Sequence, residues 1–269
     1  MLIGIDASRA FVSDKTGTEN YSYHLINAIL RLPAAKSHTF VLFIRPNTVV
    51  PRELDLLTNV IVKVIPFKYL WTQVGLAWET WRKWPLDVLW VPAHTLPLLR
   101  NPKVKTVVTI HGLEYQWLPE YKNLLQRWYL PLSTFYAVKS ADKLIAVSKF
   151  TANELQKVVQ NISDKINVIW EGVNSSSRAQ SRDPSTTVGM TLDKYGLDHK
   201  KYILFVGSVQ PRKNLVALIE AFSHFTSDYV GDSVPDYKLV IAGGVRWMAE
   251  EVLRAPARYG VQEKVIFTG

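Results

Sequence analysis

The sequence predicts an α/β protein built on mostly parallel sheets in two successive domains. Three observations carry this. Short apolar runs alternate with stretches of helical spacing along most of the 269 residues; a polar segment rich in Ser and Thr interrupts the alternation near residue 174; and the same alternation restarts beyond it. With 48% apolar and 20% charged residues the chain has material for two buried cores, and no 20-to-50-residue repeat or low-complexity tract competes with this reading.

The first run, Leu2-Ile3-Gly4-Ile5-Asp6, reads as a strand. A polar loop with Thr16-Gly17-Thr18 follows, and then a helix from about Glu19 carrying Tyr21, Leu25, Ile29 and Leu32. Further strands are expected at Thr39–Ile44, Val60–Ile65, Val88–Val91, Thr106–Ile110, Lys143–Val147 and Ile166–Ile169. Buried strands separated by helices imply a sheet covered on both faces. Residues 1–172 form the first domain, 173–199 a linker and 200–269 the second domain, with strands at Tyr202–Val206, Lys238–Ala242 and Val265–Phe267 and helices near Asn214–Phe225 and Met248–Leu253. Three strands and two helices are half of a doubly wound sheet, so the second domain is expected to be incomplete, with an unpaired edge.

The chain has no cysteine, which excludes disulfides and thiolate metal sites and fits a reducing compartment. Neither a secretory signal nor a run of about 18 apolar residues is present, so a cytoplasmic protein is expected, soluble or at the inner face of the membrane. The net charge of +9 sits mainly in the first domain: residues 1–172 hold 20 Lys and Arg against 13 Asp and Glu. Such an excess favours anionic partners. Nucleic acid is not expected, because the cations are scattered among acids and no nucleic-acid motif appears.

Four groups of residues could carry chemistry. The loop after Tyr202–Val206, with Gly207 and the adjacent Arg212 and Lys213 ahead of a helix, offers cations beside unpaired N–H groups, the requirements of a diphosphate site. It is not a Walker loop. His111 stands directly after the strand Thr106–Ile110 and before Gly112, at the sheet edge where open α/β sheets bind ligands; His94 also follows a strand. Gly17, ahead of the first helix, would let a ligand approach the backbone, and the absence of Gly-x-Gly-x-x-Gly argues against a dinucleotide. Finally, Trp71, Val74, Trp78 and Trp81 at helical spacing, with Lys68, Arg82, Lys83 and Trp84 beside them, and Arg127, Trp128, Tyr129 and Phe135 in a second helix, suit either core packing or a bilayer interface. Pro131 is expected to kink or delimit that second helix.

These motifs in this order resemble the family-4 retaining glycosyltransferases of GT-B fold, the glycosyl transferases group 1. The likeness rests on Ile3–Asp6 with Thr16–Tyr21, Thr109-Ile110-His111-Gly112, Ala146–Thr151, Val168–Val173, Val206–Asn214 and Leu239–Gly243, and it covers nearly the whole chain. The resemblance implies two Rossmann-like domains facing a cleft, a nucleotide-diphosphate-sugar donor held mainly by the second, a glycan or lipid-linked acceptor held mainly by the first, and transfer of a mannose-like hexose with retention. By that likeness the Gly17 N–H approaches the donor phosphates, His111 touches the transferred sugar, and Lys213 with Arg212 stabilises the departing diphosphate beside Gly207, so no metal is expected. Thr16, Tyr21 and His94 fall on the acceptor side.

The chain departs from the family pattern in two places. Ser208 stands where members often carry an Arg, and the acidic motif, two Glu seven residues apart, belongs beyond Gly269. The 269-residue chain is therefore expected to bind donor poorly and not to turn over. Two other readings compete: a sugar-nucleotide epimerase using Asp6, Glu114 or Glu171, and a non-catalytic binder of anionic ligands.

Overall fold

The computed structural model describes residues 1–13, 15–82, 85–113, 124–172, 192–198, 201–227, 237–245 and 248–269. It divides into two compact units, 1–174 and 175–269, each of which is described by itself. Most of the expected linker, together with Glu114, Lys83 and Trp84 and the side chains of Arg127 and Trp128, lies outside the described residues.

The first unit is a seven-stranded, fully parallel sheet. Its strands are β1 (Leu2–Asp6), β2 (Thr39–Ile44), β3 (Val60–Val64), β4 (Val88–Val91), β5 (Lys105–Ile110), β6 (Lys143–Ala146) and β7 (Ile166–Val168), in the order β3-β2-β1-β4-β5-β6-β7. The helices of this unit are α1 (Gly17–Leu30), α2 (Arg52–Asp55), α3 (Ala77–Trp81), α4 (Leu124–Ser140) and α5 (Lys149–Val158). Strand order reverses at β1, which pairs with β2 on one side and β4 on the other. Because parallel crossovers are right-handed, the reversal sends α1 and α2 to one face and the later helices to the other. Two core clusters follow from this: Ile5, Leu42 and Trp90 pack under Ile26, Leu30 and Leu54 on the first face, and Leu89, Val108, Ile110 and Leu144 pack under Leu76, Ala137, Val138 and Leu155 on the second.

Two helices differ from the sequence expectation. Trp71–Leu76 forms a wide, π-type turn ahead of α3 instead of a regular helix. Within it Gly75 lets the backbone pack closely on Ile65, since a Cβ there would stand 2.5 Å from Ile65 Cγ2. The wide turn separates the expected stripe: Trp71 is buried in the core with the Arg45 guanidinium 5.4 Å from its ring, while Val74, Trp78 and Trp81 face solvent. Helix α4 runs through Pro131, so of the two expected effects, a kink or a boundary, the boundary does not occur.

The second unit contains a three-stranded parallel sheet in the order β10-β9-β8, where β8 is Tyr202–Val206, β9 Lys238–Ala242 and β10 Val265–Phe267. Helices α6 (Leu215–Ser227) and α7 (Glu250–Arg258) share one core with the sheet through Leu215, Ile219, Phe222, Leu239, Ile241 and Val252. β8 is not the buried strand that its composition suggests. It is an edge strand among the described residues, and alternate side chains Leu204 and Val206, the latter 74% exposed, point away from the core that Phe205 joins.

Candidate functional site

In the first unit the site is built around the carboxyl end of β5. β5 ends at Ile110, so His111 is the first residue beyond the sheet. Its ring is fixed on three sides. Nε2 lies 3.0 Å from the Pro92 carbonyl oxygen and Nδ1 lies 3.3 Å from Glu171 Oε1, while the Tyr21 ring meets it edge-on at 4.6 Å between centroids. Pro92 follows β4, Glu171 follows β7 and Tyr21 is in α1, so three elements distant in sequence converge on one imidazole. The His94 ring is 5.8 Å away.

Ionisation around this ring is shifted by burial. His94 is pulled down to about 4 by burial and by the neighbouring His111 and Arg9, so it is a neutral ring at physiological pH. Burial raises the Tyr21 phenol above its ordinary value, against a counter-pull from the Thr109 hydroxyl. At the end of β1, burial pushes the Asp6 carboxyl up, and hydrogen bonds from Ser8 with the charges of Arg9 and Arg45 pull it only part of the way back.

Two open spaces flank His111. A groove of about 440 Å³ is lined by Gly17, Asn20, Tyr21 and His24 of α1 and by Trp170 and Glu171 after β7. A second, of about 260 Å³, is lined by His111, Gly112, Ser148, Phe150, Thr151 and Glu154. Gly17 is the first residue of α1, two positions earlier than expected, and a Cβ there would meet nothing within 4 Å. Thr16 caps the helix: Glu19 Oε2 accepts from the Thr16 N–H at 3.1 Å and from its hydroxyl, and Arg9 pairs with Glu19 at 3.5 Å. On the far side of His111, Ser148 caps α5 by accepting from the Thr151 N–H at 3.0 Å, and the Thr151 hydroxyl donates to the His111 carbonyl. The Ala146–Thr151 segment thus supports the backbone of His111.

In the second unit the chain leaves β8 through Gly207 and closes a tight turn over Pro211–Lys213. Arg212 and Lys213 stand in that turn, ahead of a left-handed Asn214, and α6 begins at Leu215, so the two cations precede the helix rather than occupying its first turn. Both are exposed. With the Gln210 amide oriented oxygen towards the guanidinium, it accepts from Arg212 Nε at 2.9 Å and from its terminal nitrogen at 3.1 Å, which ties the cation to the loop. The glycines that follow β8 and β9 touch: a Cβ on Gly243, at φ 144°, would stand 2.3 Å from the Gly207 oxygen. Close backbone packing at this edge leaves the basic turn at the carboxyl end of the sheet.

A seven-stranded parallel sheet with its polar cluster at the strand ends, followed by a second parallel α/β unit with a basic turn after its first strand, defines the GT-B class of α/β proteins. The chain belongs to Glycosyltransferase Family 4, which it matches over residues 16–177, and residues 192–269 match the Glycosyl transferases group 1. It is 26% identical over 159 residues to O-antigen chain mannosyltransferase B of Escherichia coli and 26% identical over 136 residues to O-antigen chain mannosyltransferase RfbU of Salmonella typhimurium. Those stretches are 59% and 51% of this chain but 40% and 33% of the relatives, so the chain spans well under half of their length. Among solved structures, the lipopolysaccharide outer core galactosyltransferase WaaB aligns over 100% of this chain and 68% of its own, with a TM-score of 0.56 at 12% identity. A trehalose-6-phosphate structure from E. coli bound with UDP-2-fluoro glucose aligns over 99% and 73%, with a TM-score of 0.58 at 11% identity. At such identities the likeness is one of fold.

Sequence reasoning singled out His111, His94, Tyr21 and Gly17, and the first unit brings them to one sheet end. It missed Trp170, Asn20 and His24 as groove residues and Glu171 as the partner of His111. Glu171 carried a signal, its position just past a strand, but 60 residues separate it from His111.

Proposed function

We propose that the protein is a retaining glycosyltransferase that moves a mannose-like hexose from a nucleotide-diphosphate sugar to a glycan or lipid-linked acceptor. The observation that carries this reading is the basic turn of Arg212 and Lys213 directly beyond β8 and Gly207, in a chain of Family 4 whose relatives bear mannosyltransferase names. Charge accumulates on the diphosphate as the sugar leaves, and fixed cations stabilise that charge most in the transition state. In this reading Lys213 supplies the main charge, Arg212 is held by Gln210 to supply a second, and no metal is needed.

The first unit takes the acceptor side. Gly17 presents its N–H at an open helix start, which suits donor phosphates. His111, fixed by Pro92 and Glu171, presents one edge to the sugar, and the neutral His94 and Tyr21 line the acceptor approach. A lipid-linked acceptor would place the protein at the inner face of the membrane. Among the described residues no helix is long and apolar enough to cross a bilayer.

Saturation-transfer NMR with GDP-mannose and UDP-glucose tests the reading. Magnetisation transfer to the nucleotide or sugar protons of one donor, competed away by the matching nucleoside diphosphate, is expected. No transfer from either donor at millimolar concentration would count against it.

A further inference from the structure

Beside His111 stands a buried carboxylate that the fold leaves half used. Helix α5 and the residue after it supply Ala152, Leu155 and Val159 to the core. Glu154 lies on the same helix with its side chain 10% exposed, and it lines the space of about 260 Å³ that His111 also lines. Taking a carboxylate out of water is costly unless donors replace the water. Lys157, 73% exposed, donates to Oε1 at 2.6 Å, and among the described residues no donor reaches Oε2. An i,i+3 pair whose ammonium stays in water contributes little to stability. The packing of α5 therefore gives no reason for an acid at this position.

The other polar groups of this space are already engaged. The Ser148 oxygen accepts from the Thr151 N–H and lies 3.0 Å from the Thr151 hydroxyl, which donates to the His111 carbonyl. Both ring nitrogens of His111 face protein acceptors. What stays open to a ligand is one acceptor, the Glu154 carboxylate, and one apolar plane, the ring of Phe150, which is 67% exposed. The two side chains are four residues apart on α5 and so share one face of the helix. Among the described residues no Lys or Arg lines the space.

This combination selects among ligands. An ionised carboxylate accepts hydrogen bonds and offers none, so a phosphate or an acidic sugar meets repulsion with no cation to offset it. A neutral sugar ring complements both groups. Its hydroxyls donate to the carboxylate in charge-assisted hydrogen bonds, and the C–H groups of one ring face pack on the negative face of the aromatic ring. A small-molecule site is commonly built this way, from an apolar wall and a few polar groups that fix orientation.

We propose that Phe150 and Glu154 form the subsite for the reacting end of the acceptor, and that this end is a neutral sugar rather than a phosphate or an acidic sugar. The inference rests on the reading above that transfer takes place beside His111, and it narrows the acceptor to a glycan with a neutral sugar at its end. Sugar binding in this subsite requires no donor, so the two readings fail separately.

The test is saturation-transfer NMR on the whole chain with the methyl glycosides of mannose, glucose and galactose, against mannose 6-phosphate and glucuronic acid. Transfer to at least one neutral glycoside is expected, with less to the anionic sugars. Glu154→Gln and Phe150→Ala should each raise the dissociation constant of that glycoside by about tenfold, the loss of one charged hydrogen-bond acceptor or one stacking plane. Phe150→Ala should leave the melting temperature unchanged, because its ring is exposed. In Glu154→Gln the preference for neutral over anionic sugars should shrink, a change that a merely structural role of Glu154 would not produce. No transfer to any neutral glycoside in a folded sample, binding indifferent to both substitutions, or tighter binding of an anionic sugar would overturn the proposal. Donor binding is read separately, from the nucleotide protons of GDP-mannose and UDP-glucose. Loss of that signal alone would overturn the nucleotide-sugar reading and leave the sugar subsite in place.

Discussion

Nδ1 of His111 lies 3.3 Å from Glu171 Oε1, while the other ring nitrogen lies 3.0 Å from the Pro92 carbonyl, so both nitrogens of one imidazole face acceptors. A neutral ring has one N–H to donate and can satisfy only one of the two. Glu171→Gln replaces the carboxylate by an amide that can donate to Nδ1. The variant is expected to hold His111 as the Nε2–H tautomer, read directly from the imidazole ¹⁵N shifts. A variant ring found as the Nδ1–H tautomer would contradict this account of how the ring is held. Because Glu171 is half-exposed, the stability cost should stay below about 1 kcal/mol.

His94 makes stability depend on pH. Its folded value of about 4 lies below the 6.5 of a free ring, so the unfolded chain takes up the proton first. Stability should therefore rise with pH between about 4 and 6.5 and level off above. Urea titrations across this window should show a smaller pH slope in His94→Gln than in the parent. Equal slopes would place the titrating group elsewhere.

Asp6 acts in the opposite sense. Burial raises its carboxyl above the ordinary 3.8, so ionisation costs stability as pH rises through the folded value, and below 3.8 there is no cost. Asp6→Asn keeps an oxygen for the Ser8 N–H and removes the charge. Its melting temperature should exceed that of the parent at pH 7, with the gain fading towards pH 3. A loss at pH 7 would mean that the Arg9 and Arg45 charges outweigh burial.

Gly243→Ala should unfold the second unit selectively. The new methyl would meet the Gly207 oxygen at 2.3 Å with the backbone at φ 144°, and a side chain in such a region costs about 1–3 kcal/mol before any clash is counted. Hydrogen exchange should accelerate in β8 and β9 and remain unchanged in the first unit.

The strands were legible because each is a short run of β-branched and large apolar residues between polar turns, and the observed ranges agree within two residues. Local rules also located His111, since a His directly after such a run must stand at the sheet edge. What they could not supply is pairing across distance. The contacts of Glu171 and Tyr21 with one ring depend on strand order, which no spacing encodes. The same limit applies to β8: its composition is that of a buried strand, but burial depends on neighbours, and the described sheet gives it one. Trp71, Trp78 and Trp81 share a helical spacing, but the first stands in the wide turn and is buried while the others stand on α3 and are exposed, a division that the spacing does not encode.

Thermal unfolding of the chain with and without UDP and GDP, beside Lys213→Ala, tests the nucleotide-sugar reading most directly. Nucleotide at about ten times its Kd would stabilise the folded form by about 1.4 kcal/mol, which for a unit of this size is a shift of roughly 6–11 °C. The expected result is an upward shift with one nucleotide that disappears in Lys213→Ala. An unchanged melting temperature with both nucleotides at millimolar concentration, or a shift that survives the substitution, would contradict a donor diphosphate site at Lys213.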